Sequence, residues 1–296
     1  MKKLGVVGAG VMGTGVAQCA ARAGLDVILV DLNKSILERA RAALYDNLRL
    51  QSLMGGTKIN VNATLQRVSY ETDPAALSEV EFVVENIVEE QEAKRNLYRQ
   101  IDELCPTDCV FAANTSAISI TRIASWTRRA AAVIGIHFMN PVPMKQTVEV
   151  IRGFHTTKQT LALATAFVER IGKRSIVVND SPGFVSNRVL MLTINESINL
   201  VQEGVAAAPD IDLLFESCFG HRMGPLATAD LIGLDTILKS LEVLQESYGD
   251  PKYRPAMLLK KMVDAGQLGR KSGQGFFDYE TRVSEAGCDG VLNGNI

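Results

Sequence analysis

Residues 3–31 join an apolar run, a glycine turn, a helix-forming stretch and a second apolar run in an order that few folds accommodate. Lys3-Leu4-Gly5-Val6-Val7 leads into Gly8-Ala9-Gly10-Val11-Met12-Gly13, and an Ala-rich segment continues to Ala23. Gly24 stops that helix, and Asp26-Val27-Ile28-Leu29-Val30 supplies the next strand, closed by Asp31. A β-α-β unit of about 30 residues is the module of a doubly wound sheet. Gly8 permits the tight turn, Gly10 lets backbone approach a pyrophosphate, and Gly13 lets helix and strand pack closely. Val11 and Met12 open the helix whose positive N-terminus faces the phosphates. Asp31, 18 residues past Gly13, is placed to accept hydrogen bonds from both adenosine ribose hydroxyls and to repel a 2′-phosphate. The pattern predicts NAD over NADP. FAD, and a tight turn without a ligand, are the competing readings.

Further strands are expected at Arg67–Ser69, Phe82–Glu85, Cys109–Ala113, Ala132–Ile136, Thr147–Ile151 and Ser175–Val178, with helices at Glu89–Leu104 and Lys158–Ile171. Strands alternating with helices imply a mainly parallel sheet covered on both faces. After Asn179-Asp180-Ser181-Pro182-Gly183 the apolar spacing turns helical from Phe184 to about Gly204. Helical stretches follow near 210–219, 227–247 and 256–265, before a short strand at Phe276-Phe277. The expected class is α/β: a Rossmann-type domain over 1–182, an all-helical domain over 183–280, and a Gly- and Asn-rich tail over 281–296 that frays.

Composition narrows the setting. Charged residues are 22% of the chain and hydrophobic ones 47%, an ordinary globular balance. A formal charge of −2 offers no basic excess for nucleic acid or an anionic membrane. No apolar run approaches the roughly 20 residues of a membrane helix. Glycines and Asp31 interrupt the N-terminal run, which argues against a signal peptide. The five cysteines form no disulfide framework, and Cys105 and Cys109 lack the further ligands of a zinc site. The expectation is a soluble protein of the reducing cytosol.

The chemistry is expected further along. His137 follows the strand ending at Ile136, and carboxyl ends of strands face the ligand crevice in a doubly wound sheet. Glu149 lies twelve residues on, a charged side chain among Val148, Val150 and Ile151. A carboxylate in an apolar strand needs a partner, and an imidazole N–H is a good one. Asn114-Thr115-Ser116 stands at another strand end, and Asn187 in the first turn of the helix opening the second domain. Ser116 and Asn187 are candidates to hold a substrate oxygen.

Taken in order, several motifs resemble the 3-hydroxyacyl-CoA dehydrogenase family over nearly the whole chain to Tyr279. They are Gly8-x-Gly10-x-x-Gly13, Asn114-Thr115-Ser116, His137-Phe138-Met139-Asn140-Pro141-Val142-Pro143, Glu149, Pro182-Gly183-Phe184 with Asn187-Arg188, Met223-Gly224-Pro225, Gly233-Leu234-Asp235, and Gly269 through Lys271 to Tyr279. The resemblance implies NAD-dependent oxidation of a 3-hydroxyacyl thioester to the 3-oxo form. His137 would take the hydroxyl proton as hydride leaves C3, Glu149 would orient and charge-balance His137, and Ser116 and Asn187 would hold the substrate's oxygens. It further implies cofactor contacts at Asp31, Glu89, Lys94, Ser116, Asn140 and Lys271, no metal, and a homodimer through the C-terminal helices.

Two stretches depart from the family pattern. On the arm after the second strand, Asn47 stands at a serine position and Met54 at a lysine position. Leu50 and Leu53 replace residues that are often basic, leaving Arg49 and Lys58 as the only cations between 42 and 66. Beside the active site, Gln146 and Thr147 replace Lys and Leu. These changes resemble the branch that oxidises glyceryl groups on an acyl carrier protein for polyketide extender units. A 3-hydroxyisobutyrate-type dehydrogenase shares the glycine turn but lacks the His137-Phe-x-Asn-Pro motif. A non-catalytic NAD-binding protein on the same fold is the remaining alternative.

Overall fold

The computed structural model describes residues 1–54 and 60–279. The expectations for the Met54 side chain, for Lys58 and for the 281–296 tail lie outside the described residues. The chain divides into two compact units, Met1–Phe184 and Val185–Ile296.

The first unit is built on eight strands: β1 Lys3–Val7, β2 Asp26–Val30, β3 Val68–Glu71, β4 Phe82–Glu85, β5 Val110–Ala113, β6 Val133–His137, β7 Thr147–Arg152 and β8 Arg174–Asn179. They lie in the order β3-β2-β1-β4-β5-β6-β7-β8. Every pairing is parallel except β6 with β7. Residues 138–146 join those two strands, too short a link for a parallel crossover, which takes about a dozen residues or more.

Alternate side chains along each strand enter opposite cores, as the two-residue strand period requires. Phe82 and Val84 join one core with Val110 and Ala112; Val83 joins the other with Phe111 and Ala113. The first core is closed by α1 (Val11–Arg22) and α2 (Lys34–Met54) through Val16, Ala17, Leu44 and Leu48. A short α3 (Val61–Leu65) follows. The second core is closed by α4 (Gln91–Leu104) and α5 (Ile120–Ala124) through Tyr98, Ile101, Ile120 and Ile123. α6 (Lys158–Arg170) returns to the first face with Ala164 and Phe167.

The second unit is helical: α7 Ser186–Gln202, α8 Ala208–Phe219, α9 Pro225–Ile232, α10 Leu234–Tyr248 and α11 Met257–Asp264. The single helix expected over 227–247 is two, because Gly233 stands at φ +105°, outside helical space. No strand forms at Phe276-Phe277. The N–H groups of both residues instead donate to the buried carboxylate of Asp230, each at 3.0 Å.

Candidate functional site

The glycine turn behaves as its residue types demand. Gly8 stands at φ +93°, and a Cβ there would meet the Asn86 backbone at 2.7 Å. A Cβ on Gly13 would fall 1.8 Å from the Gly8 carbonyl oxygen, so both positions exclude side chains. Gly10 differs: its exposed backbone would place a Cβ in open space, with nothing within 4 Å. That is the cradle a pyrophosphate needs. Gly10 also caps α1 with no side-chain hydrogen bond, which leaves the helix N-terminus, at Val11 and Met12, for an anion. Asp31 follows β2, and its Oδ2 accepts the Ala9 N–H at 2.7 Å, tying the acid to the same turn. These residues fit a dinucleotide.

His137 ends β6 and Glu149 is the third residue of β7, and antiparallel register sets them directly opposite one another. Residues so paired send their side chains to one face. His137 Nδ1 lies 2.9 Å from Glu149 Oε2, and both residues are buried. An ionised carboxylate only accepts, so the proton of the neutral ring resides on Nδ1. Nε2 then presents its lone pair, and Ser116 Oγ stands 3.1 Å from it. Phe184 walls the ring, its centroid 5.7 Å away. Asn114 braces the ensemble: its Nδ2 donates to Asn86 Oδ1 at 2.7 Å, and its Oδ1 accepts the Phe138 N–H at 3.1 Å. The arrangement can take a proton from an alcohol and balance the resulting imidazolium.

Glu89 organises the turn that carries Ser116. Its Oε1 accepts the Thr115 hydroxyl, the Ser116 N–H at 2.9 Å and the Ala117 N–H at 3.1 Å. Burial, the largest influence, pushes the Glu89 carboxyl up. The Lys94 ammonium and the hydrogen bonds from Thr115, Ser116 and Ala117 outweigh it and hold the group below the ordinary glutamate value. Lys94, expected at the cofactor, has no exposed surface. Its Nζ is enclosed by Glu85 at 2.6 and 2.8 Å and by Glu89 at 3.4 Å. Its charge acts on Glu89, 3.4 Å away. Burial pushes the Glu85 carboxyl up despite Lys94.

Asn140 is exposed on the turn after β6. Asn187 is the second residue of α7, in the second unit, and is half-buried. Lys271, in the same unit, pairs with Asp235. Sequence reasoning missed Lys173, a buried lysine whose Nζ donates to the carbonyls of Val142 at 2.6 Å and Lys145 at 2.7 Å. It holds the turn that follows His137. It also missed Glu85, although an acid ending the run Phe82-Val83-Val84 is the same signal that marked Glu149.

The comparisons with known proteins agree along the chain. The model of the 3-hydroxyacyl-CoA dehydrogenase NAD binding domain matches residues 3–181, and that of the family's C-terminal domain matches 183–279. A probable 3-hydroxybutyryl-CoA dehydrogenase of Deinococcus radiodurans is 46% identical over 277 residues, covering 94% of this chain and 100% of that one. The human mitochondrial hydroxyacyl-coenzyme A dehydrogenase is 35% identical over 289 residues, 95% of this chain and 92% of that one. The crystal structure of (S)-3-hydroxybutyryl-CoA dehydrogenase from Ralstonia eutropha matches with a TM-score of 0.91 at 42% identity, covering 95% of this chain and 99% of that one. The chain belongs to the 3-hydroxyacyl-CoA dehydrogenase family and is an NAD-dependent oxidoreductase.

Proposed function

We propose that the protein oxidises a 3-hydroxyacyl-CoA to the 3-oxoacyl-CoA, and that His137 is the general base. The observation that carries this reading is the chain Ser116 Oγ, His137 Nε2, His137 Nδ1, Glu149 Oε2, with links of 3.1 and 2.9 Å at the carboxyl edge of the sheet. Bound NAD supplies the acceptor for the hydrogen leaving C3. Ser116 hydrogen-bonds the substrate hydroxyl and directs it to Nε2, which takes the proton. Glu149 fixes the tautomer and stabilises the imidazolium. The glycine turn and Asp31 hold the dinucleotide, with Glu89, Asn140 and Lys271 as further contacts. Asn187 is assigned a second substrate oxygen from its motif. His137→Ala tests the proposal: NADH formation collapses while NAD affinity, measured by calorimetry, is retained. Unchanged turnover would remove His137 as the base.

A second reading, the same oxidation on an acyl carrier protein, is favoured by the outer side of α2. Asn47, Leu50 and Leu53 are exposed there, and the Arg49 guanidinium sits 5.6 Å over the Tyr45 ring. A charge-assisted contact to phosphate contributes about 1.5–3 kcal/mol, and CoA's 3′-phosphate finds few cations on such an arm. Turnover of 3-hydroxybutyryl-CoA is compared with that of a glyceryl group on a carrier protein. Strong CoA turnover at low concentration excludes the carrier reading. A homodimer through the C-terminal helices belongs to the same proposal, supported by exposed Leu213, Leu214, Phe219 and Leu231 on α8 and α9. So does a cytosolic setting, in which the free thiols of Cys19, Cys105, Cys109 and Cys218 persist. Among the described residues no helix is long and apolar enough to cross a membrane.

A further inference from the structure

We infer that Glu85 is a positioning residue for the reaction, acting on Ser116 through Lys94 and Glu89. Glu85 is the last residue of β4 and has no exposed surface. All its capacity is spent inward. Oε1 accepts the Ile87 N–H at 2.7 Å and Lys94 Nζ at 2.6 Å; Oε2 accepts Lys94 Nζ at 2.8 Å and the Tyr98 hydroxyl at 3.3 Å. Lys94 is thereby fixed as a rigid cation at the base of Glu89, 3.4 Å from its Oε2. That leaves Glu89 Oε1 to gather Thr115, Ser116 and Ala117 into one turn. The turn delivers Ser116 Oγ to His137 Nε2.

A buried ammonium and carboxylate are costly to desolvate and are weak evidence for stability. An apolar pair of the same volume would fill this space as well. It would not hold Glu89 ionised and aimed. The ion pair therefore makes geometric sense as a brace on the serine, and Glu85 itself never reaches the reacting atoms.

The inference rests on the proposed role of Ser116 beside His137, and the test separates the two. A double-mutant cycle joins Glu85→Gln with Ser116→Ala in the whole enzyme, read as kcat and KM for 3-hydroxybutyryl-CoA and as NAD affinity. Glu85→Gln is expected to lower kcat about ten- to a hundredfold, the scale of an ångström-sized misplacement. In the Ser116→Ala background the same change should alter kcat by no more than about twofold, as expected once the braced group is gone. Glu85→Asp should recover part of the loss. Glu85→Gln/Lys94→Met removes both charges and keeps the experiment decisive if the single variant unfolds; its kcat should remain low. Equal losses in both serine backgrounds, or wild-type kcat in the doubly neutral variant, overturn the inference alone. A Ser116→Ala enzyme with undiminished kcat overturns the serine's role and the inference together.

Discussion

Replacing Glu149 with glutamine isolates charge from shape. The side chain keeps its volume, and its carbonyl oxygen can still accept the Nδ1–H of His137, so no cavity confuses the result. What disappears is attraction for the imidazolium. At the 2.9 Å separation of Nδ1 and Oε2, and an effective dielectric of about 20, opposite unit charges attract by about 6 kcal/mol. Only charge that develops by the transition state counts. With proton transfer half complete the loss is about 3 kcal/mol, or roughly a hundredfold in kcat. Should the amide turn its NH2 toward Nδ1, the ring adopts the wrong tautomer and the loss grows toward about ten-thousandfold.

The assay is NADH formation from 3-hydroxybutyryl-CoA with protonated and 3-deuterated substrate. KM and NAD affinity should change little, because the missing interaction belongs to the transition state. The deuterium isotope effect should rise as chemistry becomes limiting. A kcat within about threefold of the wild type, with an unchanged isotope effect, refutes the assignment of His137 and Glu149 as one unit.

Three further outcomes follow from other contacts. Asp31→Ser removes the carboxylate bound to the Ala9 N–H, and NAD selectivity over NADP should fall about ten- to a hundredfold, as steady-state KM values for both cofactors will show. Gly10→Ala and Gly13→Ala make a contrast: the first, with open space at its Cβ, should keep its thermal midpoint and lose NAD affinity in calorimetry. The second, 1.8 Å from the Gly8 carbonyl, should unfold at markedly lower denaturant, by roughly 3 kcal/mol. Asp102→Asn should destabilise the first unit by about 2–4 kcal/mol at neutral pH in denaturant titrations, because half-buried Arg129 loses the carboxylate of buried Asp102 at 2.6 Å. Burial is the largest influence on that carboxyl and pushes it up, but bonds from Arg128 and Arg129 outweigh it and hold it below 3.8, the ordinary aspartate value. Its contribution is therefore whole above about pH 4 and fades as acid passes through the lowered value, so wild type and variant should converge only there.

Much of this is legible in the sequence. The glycine turn and Asp31 are local, set by one β-α-β unit whose spacing leaves little freedom. His137 and Glu149 were readable for a different reason: an imidazole at a strand end and an acid in an apolar strand each need explanation, and each explains the other. Glu85 carries the same mark, but its partner Lys94 lies on a helix whose polar sequence, Gln91-Glu92-Ala93-Lys94-Arg95, reads as solvated. Lys173 gives no sequence signal, because its partners are backbone carbonyls that any residue provides. The break at Gly233 was hidden by apolar spacing that continues in phase on both sides.

The antiparallel pairing of β6 with β7 is what sets Glu149 opposite His137. A parallel strand after β6 would start at the far edge and reach the carboxyl edge only at its own end, after a crossover of a dozen residues or more. β7 instead starts where β6 stops, so its third residue already faces His137. Side chains alternate along a strand, and a slip of one residue would send Glu149 to the opposite face. Lys173 is relevant here, since it pins the connecting turn at Val142 and Lys145, and Arg174 N–H bonds the Gln146 carbonyl at 2.8 Å. The start of β8 thus clamps the loop whose length sets the register. Gln146 and Thr147 are exposed positions of that clamp, so a change of either side chain leaves the phase of Glu149 untouched. The facing of His137 and Glu149 is therefore set by the backbone register and not by those two side chains.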